Sequence, residues 1–257
     1  MPRFSGALVQ ALRLYCEAER KWDSFLAKAG YNRKFFSQKG QDRWAVEGIF
    51  KGRRGGYFVE LGGGDGRTDS NTYVLERDYD WNGVLIEANP RYVSDIARNR
   101  ACRCIHACVD AEPGEADFFS FDYMGGILAE GTDYTFARRG PLLRRHRRKI
   151  TRMRSRSLAD ILDAVEAPPK IDYLSLDVEG AEHRILSRFP FGRYAFEALT
   201  VERPTPAIHS LLSEAGYILD RVHRSDGFYV SRNLADGLGV GRRSFGGIPP
   251  NHFRISS

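Results

Sequence analysis

The sequence predicts an α/β protein built on a mainly parallel sheet, because short apolar runs alternate with amphipathic stretches along most of its 257 residues. The apolar runs are rich in β-branched and aromatic residues, and turns rich in glycine, proline or asparagine separate them from the amphipathic stretches. Two further runs flank a turn at residues 224–227, which predicts a closing antiparallel hairpin. We therefore expect a seven-stranded sheet with right-handed crossovers between its parallel strands.

The order of the elements follows from these patterns. Parallel strands are expected at residues 57–61, 84–86, 104–109, 171–177 and 198–201, and the hairpin strands at 217–221 and 227–231. Helices are expected at residues 70–77, 91–99, 158–165, 182–188 and 207–215. Ser157 is a suitable N-cap for the third of these helices. An antiparallel edge strand is expected at residues 116–121, and a partly helical segment at 124–156.

Three regions are expected along the chain. Residues 1–36 form an N-terminal helical extension, in which apolar residues recur at helical spacing over 5–29. This helix packs on the domain flank, covers a site as a lid, or joins two copies in a homodimer, and the sequence leaves these alternatives open. Residues 37–233 form the main domain, with a basic insertion at about 123–156, and an irregular tail occupies 234–257.

A glycine-rich loop follows the first expected strand. Residues 62–66 read Gly-Gly-Gly-Asp-Gly, and a helix and a second strand ending at Glu87 come next. Glycine adopts positive φ at little cost and lets a ligand approach the backbone, so this loop predicts a nucleotide site. The dinucleotide fingerprint needs a last glycine where this chain has Arg67, which disfavours a nicotinamide cofactor. Glu87 can accept two hydrogen bonds from ribose hydroxyls.

Carboxylates recur where the expected parallel strands end. Ligands of open α/β sheets bind outside the carboxyl ends of the strands. Every expected parallel strand carries a carboxylate at or beside that end, namely Glu60, Glu87, Asp110, Asp177 and Glu202. A sheet that served only as a scaffold has no need of them.

Composition narrows the class of protein. The chain is 42% hydrophobic, enough for a core without disulfides or metal. Cys102, Cys104 and Cys108 lack the paired C-x2-C spacing of zinc sites, which favours reduced core cysteines and a cytoplasmic protein. A signal peptide is not expected, and no run approaches the length of a membrane span.

The net charge of +6 comes from one segment. Residues 138–156 hold ten of the 39 lysines and arginines and no acidic residue, so the rest of the chain is net negative. We expect this segment to bind an anionic acceptor, through Arg144, Arg145, Arg147 and Arg148. A solvated basic face is the plain alternative. The run has no aromatic residue for base stacking, which argues against a nucleic-acid partner.

Five motifs in order resemble one family. They are SQKGQD at 37–42, FVELGGGDG at 58–66, SNT at 70–72, LIEANP at 85–90 and SLDVEGAE at 175–182. The chain resembles FkbM-type methyltransferases, which are class I S-adenosylmethionine-dependent enzymes. The resemblance implies a Rossmann-like class I methyltransferase sandwich, S-adenosyl-L-methionine as cofactor, and O-methylation of a sugar, glycan or secondary metabolite.

Candidate cofactor-binding residues combine strand-end geometry with this resemblance. The loop residues contact the amino-acid part and the ribose, Glu87 holds the ribose, and the residues near Asp110 lie by the adenine. Two further contacts, Gln38 and Asn71, are implied by resemblance alone. The expected set is Gln38, Glu60, Gly62, Gly64, Asp65, Asn71, Glu87, Asp110 and Asp177.

Candidate catalytic residues lie in the SLDVEGAE motif and just beyond it. Asp177, Glu179 and His183 are expected to align an acceptor hydroxyl and remove its proton, with Glu179 and His183 one turn apart if a helix starts at Gly180. Asp177 and Glu202 could instead hold a divalent cation such as Mg²⁺. Nucleic-acid methylation and a non-catalytic nucleotide-binding module remain as alternative functions.

Overall fold

The computed structural model describes residues 34–121, 124–133 and 150–238. From Phe36 onward these residues belong to one compact unit, Phe36–Arg243. The expected helix at 5–29 and the four arginines between 144 and 148 lie outside the described residues, as does the expected tail from 239. The irregular tail is wrong for residues 234–238, which belong to a helix.

Eleven strands occur among the described residues. They are β1 (Tyr57–Leu61), β2 (Asn82–Glu87), β3 (Arg103–His106), β4 (Cys108–Val109), β5 (Gly114–Phe121), β6 (Met124–Ile127), β7 (Ile150–Arg156), β8 (Lys170–Leu176), β9 (Ala195–Glu202), β10 (Tyr217–His223) and β11 (Asp226–Ser231). Seven of them form a sheet in the order β10-β11-β9-β8-β1-β2-β3. All its pairings are parallel except β10–β11 and β11–β9. The expected α/β class, mainly parallel sheet and C-terminal hairpin are confirmed.

A second, four-stranded sheet has the order β4-β7-β5-β6. The expected strand 104–109 is therefore wrong, because β3 ends at His106 and Cys108–Val109 pairs with β7 instead. Asp110 consequently does not end a strand of the large sheet. Strand β5 is not at an edge, since it lies between β7 and β6.

The expected helical character of residues 124–156 is wrong for the part that the structure describes. Residues 124–127 form β6 and residues 150–156 form β7, and both pair antiparallel with β5. The alternation of Met153 and Ser155 with arginines gives β7 one inward and one outward face, which is a strand pattern.

Seven helices connect the described strands. They are α1 (Gln41–Arg43, continued by a π-helical stretch Trp44–Ile49), α2 (Tyr73–Tyr79), α3 (Val93–Asn99, after a 3₁₀ turn Pro90–Tyr92), α4 (Leu158–Ala164), α5 (Glu182–Ser187), α6 (Pro206–Glu214) and α7 (Arg232–Leu238). Ser157 caps α4 as expected, because its side chain accepts from Asp160 N. Thr205 caps α6 in the same way, with Pro206 in the first turn.

The core lies on both faces of the central strands. Val59 of β1 and Leu174 of β8 point to one face, Phe58 and Tyr173 point to the other, and all four are completely buried. Parallel strands that are covered on both faces are apolar at nearly every position, which explains the continuous apolar runs in the sequence. The polar ends of β1, β2, β8 and β9 thereby meet at one edge of a rigid sheet. Within the described ranges, no helix combines the length and the apolar character needed to cross a membrane.

Candidate functional site

The glycine loop after β1 passes over the end of β8. Gly62 has φ 81°, and a Cβ there would lie 1.8 Å from the carbonyl oxygen of Asp177. Any side chain at this position would displace the loop or the strand. Gly64, with φ 55°, has no heavy atom within 4 Å of the position of a Cβ. The loop therefore packs against the sheet at Gly62 and faces open space at Gly64.

Glu87 at the end of β2 joins this loop. Its Oε2 accepts from Gly64 N at 2.9 Å, and its Oε1 accepts from Asn89 N at 2.7 Å. Burial raises the pKa of Glu87 to about 7, although these backbone hydrogen bonds oppose the shift. A carboxylate at this place, with a lone pair left on each oxygen, suits two ribose hydroxyls.

Asn71 carries a polar atom that lacks a protein partner. Its side chain is buried and donates through Nδ2 to Ser175 Oγ at 2.8 Å. Its Oδ1 is the one buried side-chain oxygen or nitrogen without a hydrogen bond in the described ranges. A buried acceptor left open is costly unless a ligand supplies a donor. The ammonium group of S-adenosylmethionine is such a donor, so Asn71 fits the expected cofactor.

Glu60 faces the protein interior instead of a ligand. Its carboxylate accepts from Ser70 Oγ, Asn71 N and Thr72 Oγ1, and Arg100 Nη1 lies 3.2 Å away. These four partners take up its acceptor capacity. The expected side-chain contact with the cofactor is therefore replaced by a positioning role, in which Glu60 holds the segment that carries Asn71.

Three other expected cofactor residues have protein partners of their own. Asp65 accepts from Arg67 N and from Thr68 within the loop, which shapes the turn. Gln38 is exposed and donates to Asp69 at 3.3 Å. Asp110 forms a two-pronged ion pair with Arg184, at 2.8 and 2.9 Å. Their roles toward the cofactor stay predictions.

A group of carboxylates lies at the ends of β8 and β9, beside Gly62. Asp177, Glu179 and Glu202 each offer an oxygen, and these atoms lie within 4.8 Å of one another. Burial and the neighbouring Glu202 hold the pKa of Asp177 well above its usual range, and Asp177 donates a hydrogen bond to Glu202. Burial and Glu202 also raise the pKa of Glu179 to about 8. We call these three residues the carboxylate cluster.

Two cations contact the carboxylate cluster. Arg203 Nη2 lies 2.9 Å from both Glu179 and Glu202 and also contacts Asp133. Lys39 Nζ lies 2.8 Å from Asp226 and 3.4 Å from Glu202. Burial opposes ionisation of Glu202, but Arg203, the hydrogen bond from Asp177 and Lys39 together lower its pKa. Burial and the adjacent carboxylates therefore favour the protonated form of Asp177, while the two cations favour the ionised form of Glu202.

Sequence reasoning missed both of these cations. Lys39 lies within the SQKGQD motif, and Arg203 directly follows a strand-end carboxylate. Both positions therefore adjoin features that the sequence pattern singles out, but only the fold shows that the two cations contact Glu202. Glu182, in the first turn of α5, is buried and accepts from Val178 N at 3.0 Å, which ties α5 to the end of β8.

His183 does not occupy the expected position. Helix α5 begins at Glu182 instead of Gly180, because Glu179 and Gly180 have left-handed backbones with φ 57° and 94°. Glu179 and His183 are therefore not successive turns of one helix, and His183 is exposed. The expected helix start at Gly180 is therefore wrong, and a role of His183 toward the acceptor stays a prediction.

The architecture and the glycine loop can now be compared with known proteins. A family model of the methyltransferase FkbM domain matches residues 60–219, more than half of the chain. The chain belongs to the FkbM methyltransferase family. It is an S-adenosylmethionine-dependent methyltransferase, and Gly62, Gly64, Asn71 and Glu87 are the described residues whose geometry fits that cofactor.

Two solved structures are similar to the chain. One is a precorrin-6y C5,15-methyltransferase from Geobacter metallireducens GS-15, with a TM-score of 0.37 and 11% identity, covering 69% of this chain and 80% of that one. The other is a TehB-like SAM-dependent methyltransferase from Corynebacterium glutamicum ATCC 13032 Kitasato, with a TM-score of 0.42 and 10% identity, covering 85% and 98%. A search of curated proteins finds no match.

Proposed function

We propose that this FkbM methyltransferase methylates a hydroxyl group of a sugar, a glycan or a secondary metabolite. The observation that carries the proposal is the carboxylate cluster beside Gly62, where the cofactor's methyl-bearing end is expected. A hydroxyl is a poor nucleophile and needs a base as its oxygen attacks. Carboxylates with raised pKa values are suited to that role.

Each residue of the cluster has a separate part in the proposal. When bound, S-adenosylmethionine supplies an activated methyl group, so the protein's work is alignment and proton removal. Glu179 accepts the hydroxyl proton, because a base with a pKa of about 8 is close to the pH at which it operates. Asp177 keeps its own proton and orients Glu202. Arg203 fixes Glu179 and Glu202 together.

Two substitutions test this assignment. Glu179→Gln should lower kcat by roughly 100-fold or more, since general-base catalysis contributes about 10²–10⁴-fold, and Asp177→Ala, which removes the group that orients Glu202, should lower kcat as well. Binding of S-adenosylhomocysteine to Glu179→Gln, measured by calorimetry, should stay within about twofold. Asp172→Asn, near the opposite end of β8, is the matched control and should retain turnover. Near-normal turnover in both cluster variants would place the proton acceptor elsewhere.

A divalent cation on Asp177 and Glu202 is the competing way to activate the hydroxyl. Both oxygens of Glu202 already have a cationic partner, Lys39 on Oε1 and Arg203 on Oε2. A metal ion would have to displace them, so we propose direct proton removal by Glu179. Turnover that persists in a strong chelator supports this mechanism. Turnover that stops in chelator and returns with Mg²⁺ would assign the cluster to a metal.

The acceptor is proposed to carry an anionic group that Arg144, Arg145, Arg147 and Arg148 bind. Support comes from the point where the chain enters the basic segment. Asp133 contacts Arg203, and its backbone N donates to Glu179 O at 3.2 Å. Asp133, the last described residue before the basic segment, therefore lies beside the carboxylate cluster.

Replacing the four arginines by serine should raise KM for an anionic acceptor several-fold, most at low salt, with unchanged cofactor affinity. Unchanged acceptor kinetics would contradict the proposal.

A further inference from the structure

We propose that a cavity between the end of β3 and strand β7 binds a diphosphate-bearing small molecule. The cavity has a volume of about 800 Å³. Such a volume matches a drug-sized ligand and greatly exceeds that of a single ion. Its lining residues are Pro90, His106, Ala107, Pro113, Gly114, Thr151, Met153, Arg154, Ser155 and Arg156.

The described lining of this cavity holds two arginines and no aspartate or glutamate. The nearest carboxylates on β5 are Glu115 and Asp117, and Arg152 binds both of them, at 3.0 and 2.9 Å. Arg154, which faces Glu115 across the strand pair, consequently has no ion pair within the described residues.

Arg156 also has no ion pair with a carboxylate among the described residues. Its guanidinium donates at 3.0 Å to the backbone oxygen of Asp160, which carries no formal charge. Two arginines on one strand, each free of a carboxylate, are suited to the oxygens of phosphate groups, because the planar guanidinium can donate two parallel hydrogen bonds.

The walls of the cavity supply further donors. Strand β4 pairs with β7 only at Ser155 and Arg156, so in the described ranges residues 151–154 lack a strand partner on that side. Backbone N–H groups on such an edge are open to a ligand. On the opposite wall, His106 Nε2–H donates to the carbonyl oxygen of Ala88 at 3.0 Å, which fixes the orientation of the ring and leaves the donors to β7.

The cavity is separate from the place of methyl transfer. Strand β3 lies three positions from β8 in the sheet, about 14 Å at the usual strand spacing. The described lining shares no residue with the glycine loop, Glu87 or the carboxylate cluster, although the lining residue Arg156 accepts through its backbone oxygen from Asp110 N, beside which the adenine is expected. A ligand here therefore cannot present its own hydroxyl at the cluster unless it spans that distance, and the inference stands independently of the proposed O-methylation.

The test is titration calorimetry of the whole protein with inorganic pyrophosphate, without cofactor or acceptor. Arg154→Gln should weaken binding about tenfold, and the double variant Arg154→Gln/Arg156→Gln should abolish it. The matched control is Arg103→Gln, which removes the same charge from β3 but outside the lining and should bind like the unmodified protein. Thermal midpoints of all variants check that they fold.

Three results would overturn the inference. The unmodified protein could show no saturable binding of pyrophosphate. Arg103→Gln could weaken binding as much as Arg154→Gln, which would indicate a diffuse basic surface. S-adenosylhomocysteine could displace pyrophosphate competitively, which would make the cavity part of the cofactor site. Because no step of the assay involves methyl transfer, its outcome is independent of the proposed acceptor.

Discussion

Two residues with left-handed backbone conformations, Gly62 and Glu179, position the groups of the candidate site. Gly62 turns the chain directly over Asp177, where no Cβ fits. Glu179 adopts φ 57°, a conformation that costs an ordinary residue free energy and is often found at functional sites. Because it delays the start of α5, Glu179 lies beside Glu202 and Arg203 instead of within a helix.

Glu87 is the residue through which pH should control cofactor binding. Its pKa of about 7 means that it loses its charge, and part of its capacity to accept from ribose, as the pH falls below 7. We expect the Kd for S-adenosylhomocysteine to rise between pH 8 and pH 6. Glu87→Ala should raise that Kd by at least tenfold at pH 8 and remove the pH dependence.

The control for this measurement is Glu112→Ala, a substitution of a largely exposed carboxylate. It should bind the product with the affinity and pH dependence of the unmodified protein. An equal pH dependence in Glu87→Ala would assign the effect to another group.

At the scale of elements, one buried arginine joins the strand, loop and helix of the cofactor site. The side chain of Arg100 is 0% exposed and contacts Glu60 of β1 at 3.2 Å and Glu76 of α2 at 2.6 Å. It also donates to Gly66 O in the glycine loop. Each carboxylate thereby has a partner, and α2 is fixed to the loop that precedes it.

Arg100→Met should lower the free energy of unfolding by about 3–5 kcal/mol, because it leaves two buried carboxylates without their cation. Urea unfolding measures this loss. Arg98→Met, a change of a largely exposed arginine in α3, should stay within about 0.5 kcal/mol. A loss below about 1 kcal/mol in Arg100→Met would show that solvent or other groups replace the guanidinium.

At the scale of the whole molecule, the concentration of carboxylates at one edge of the sheet works against stability at high pH. Burial raises the pKa of Glu87 and Glu182 to about 7 and that of Glu179 to about 8, from near 4.3 in an unfolded chain. The native state therefore binds protons that the unfolded state has released. This contribution to stability is complete below about pH 4.3 and is lost as the pH rises through 7 and 8.

The thermal midpoint should accordingly be lower at pH 9 than at pH 6. Glu182→Gln keeps an acceptor for Val178 N but cannot ionise, so it should flatten this dependence. Differential scanning calorimetry across that pH range gives the comparison, with Glu112→Gln as the exposed control. A midpoint that rises between pH 6 and pH 9 would show that these carboxylates do not hold protons in the native state at neutral pH.

The sequence by itself determined the α/β class, the order of the parallel strands along the chain and the ligand-binding edge. These follow from local patterns: apolar runs of strand length, glycines after β1, and carboxylates at strand ends. Since parallel strands point the same way, Glu87, Asp177 and Glu202 had to lie at one edge of the sheet. The loop and this edge together therefore predicted most of the candidate site.

Only the tertiary structure decided which partners those side chains have. Lys39 meets Asp226 across 187 residues of sequence, and Glu60 turns inward because Arg100 and the segment 70–72 pack over it. The chain also leaves the large sheet after His106, since Cys108–Val109 finds a partner in β7. Local periodicity specifies a strand but not its neighbour; the neighbour is set by long-range packing and by which buried polar groups can be paired.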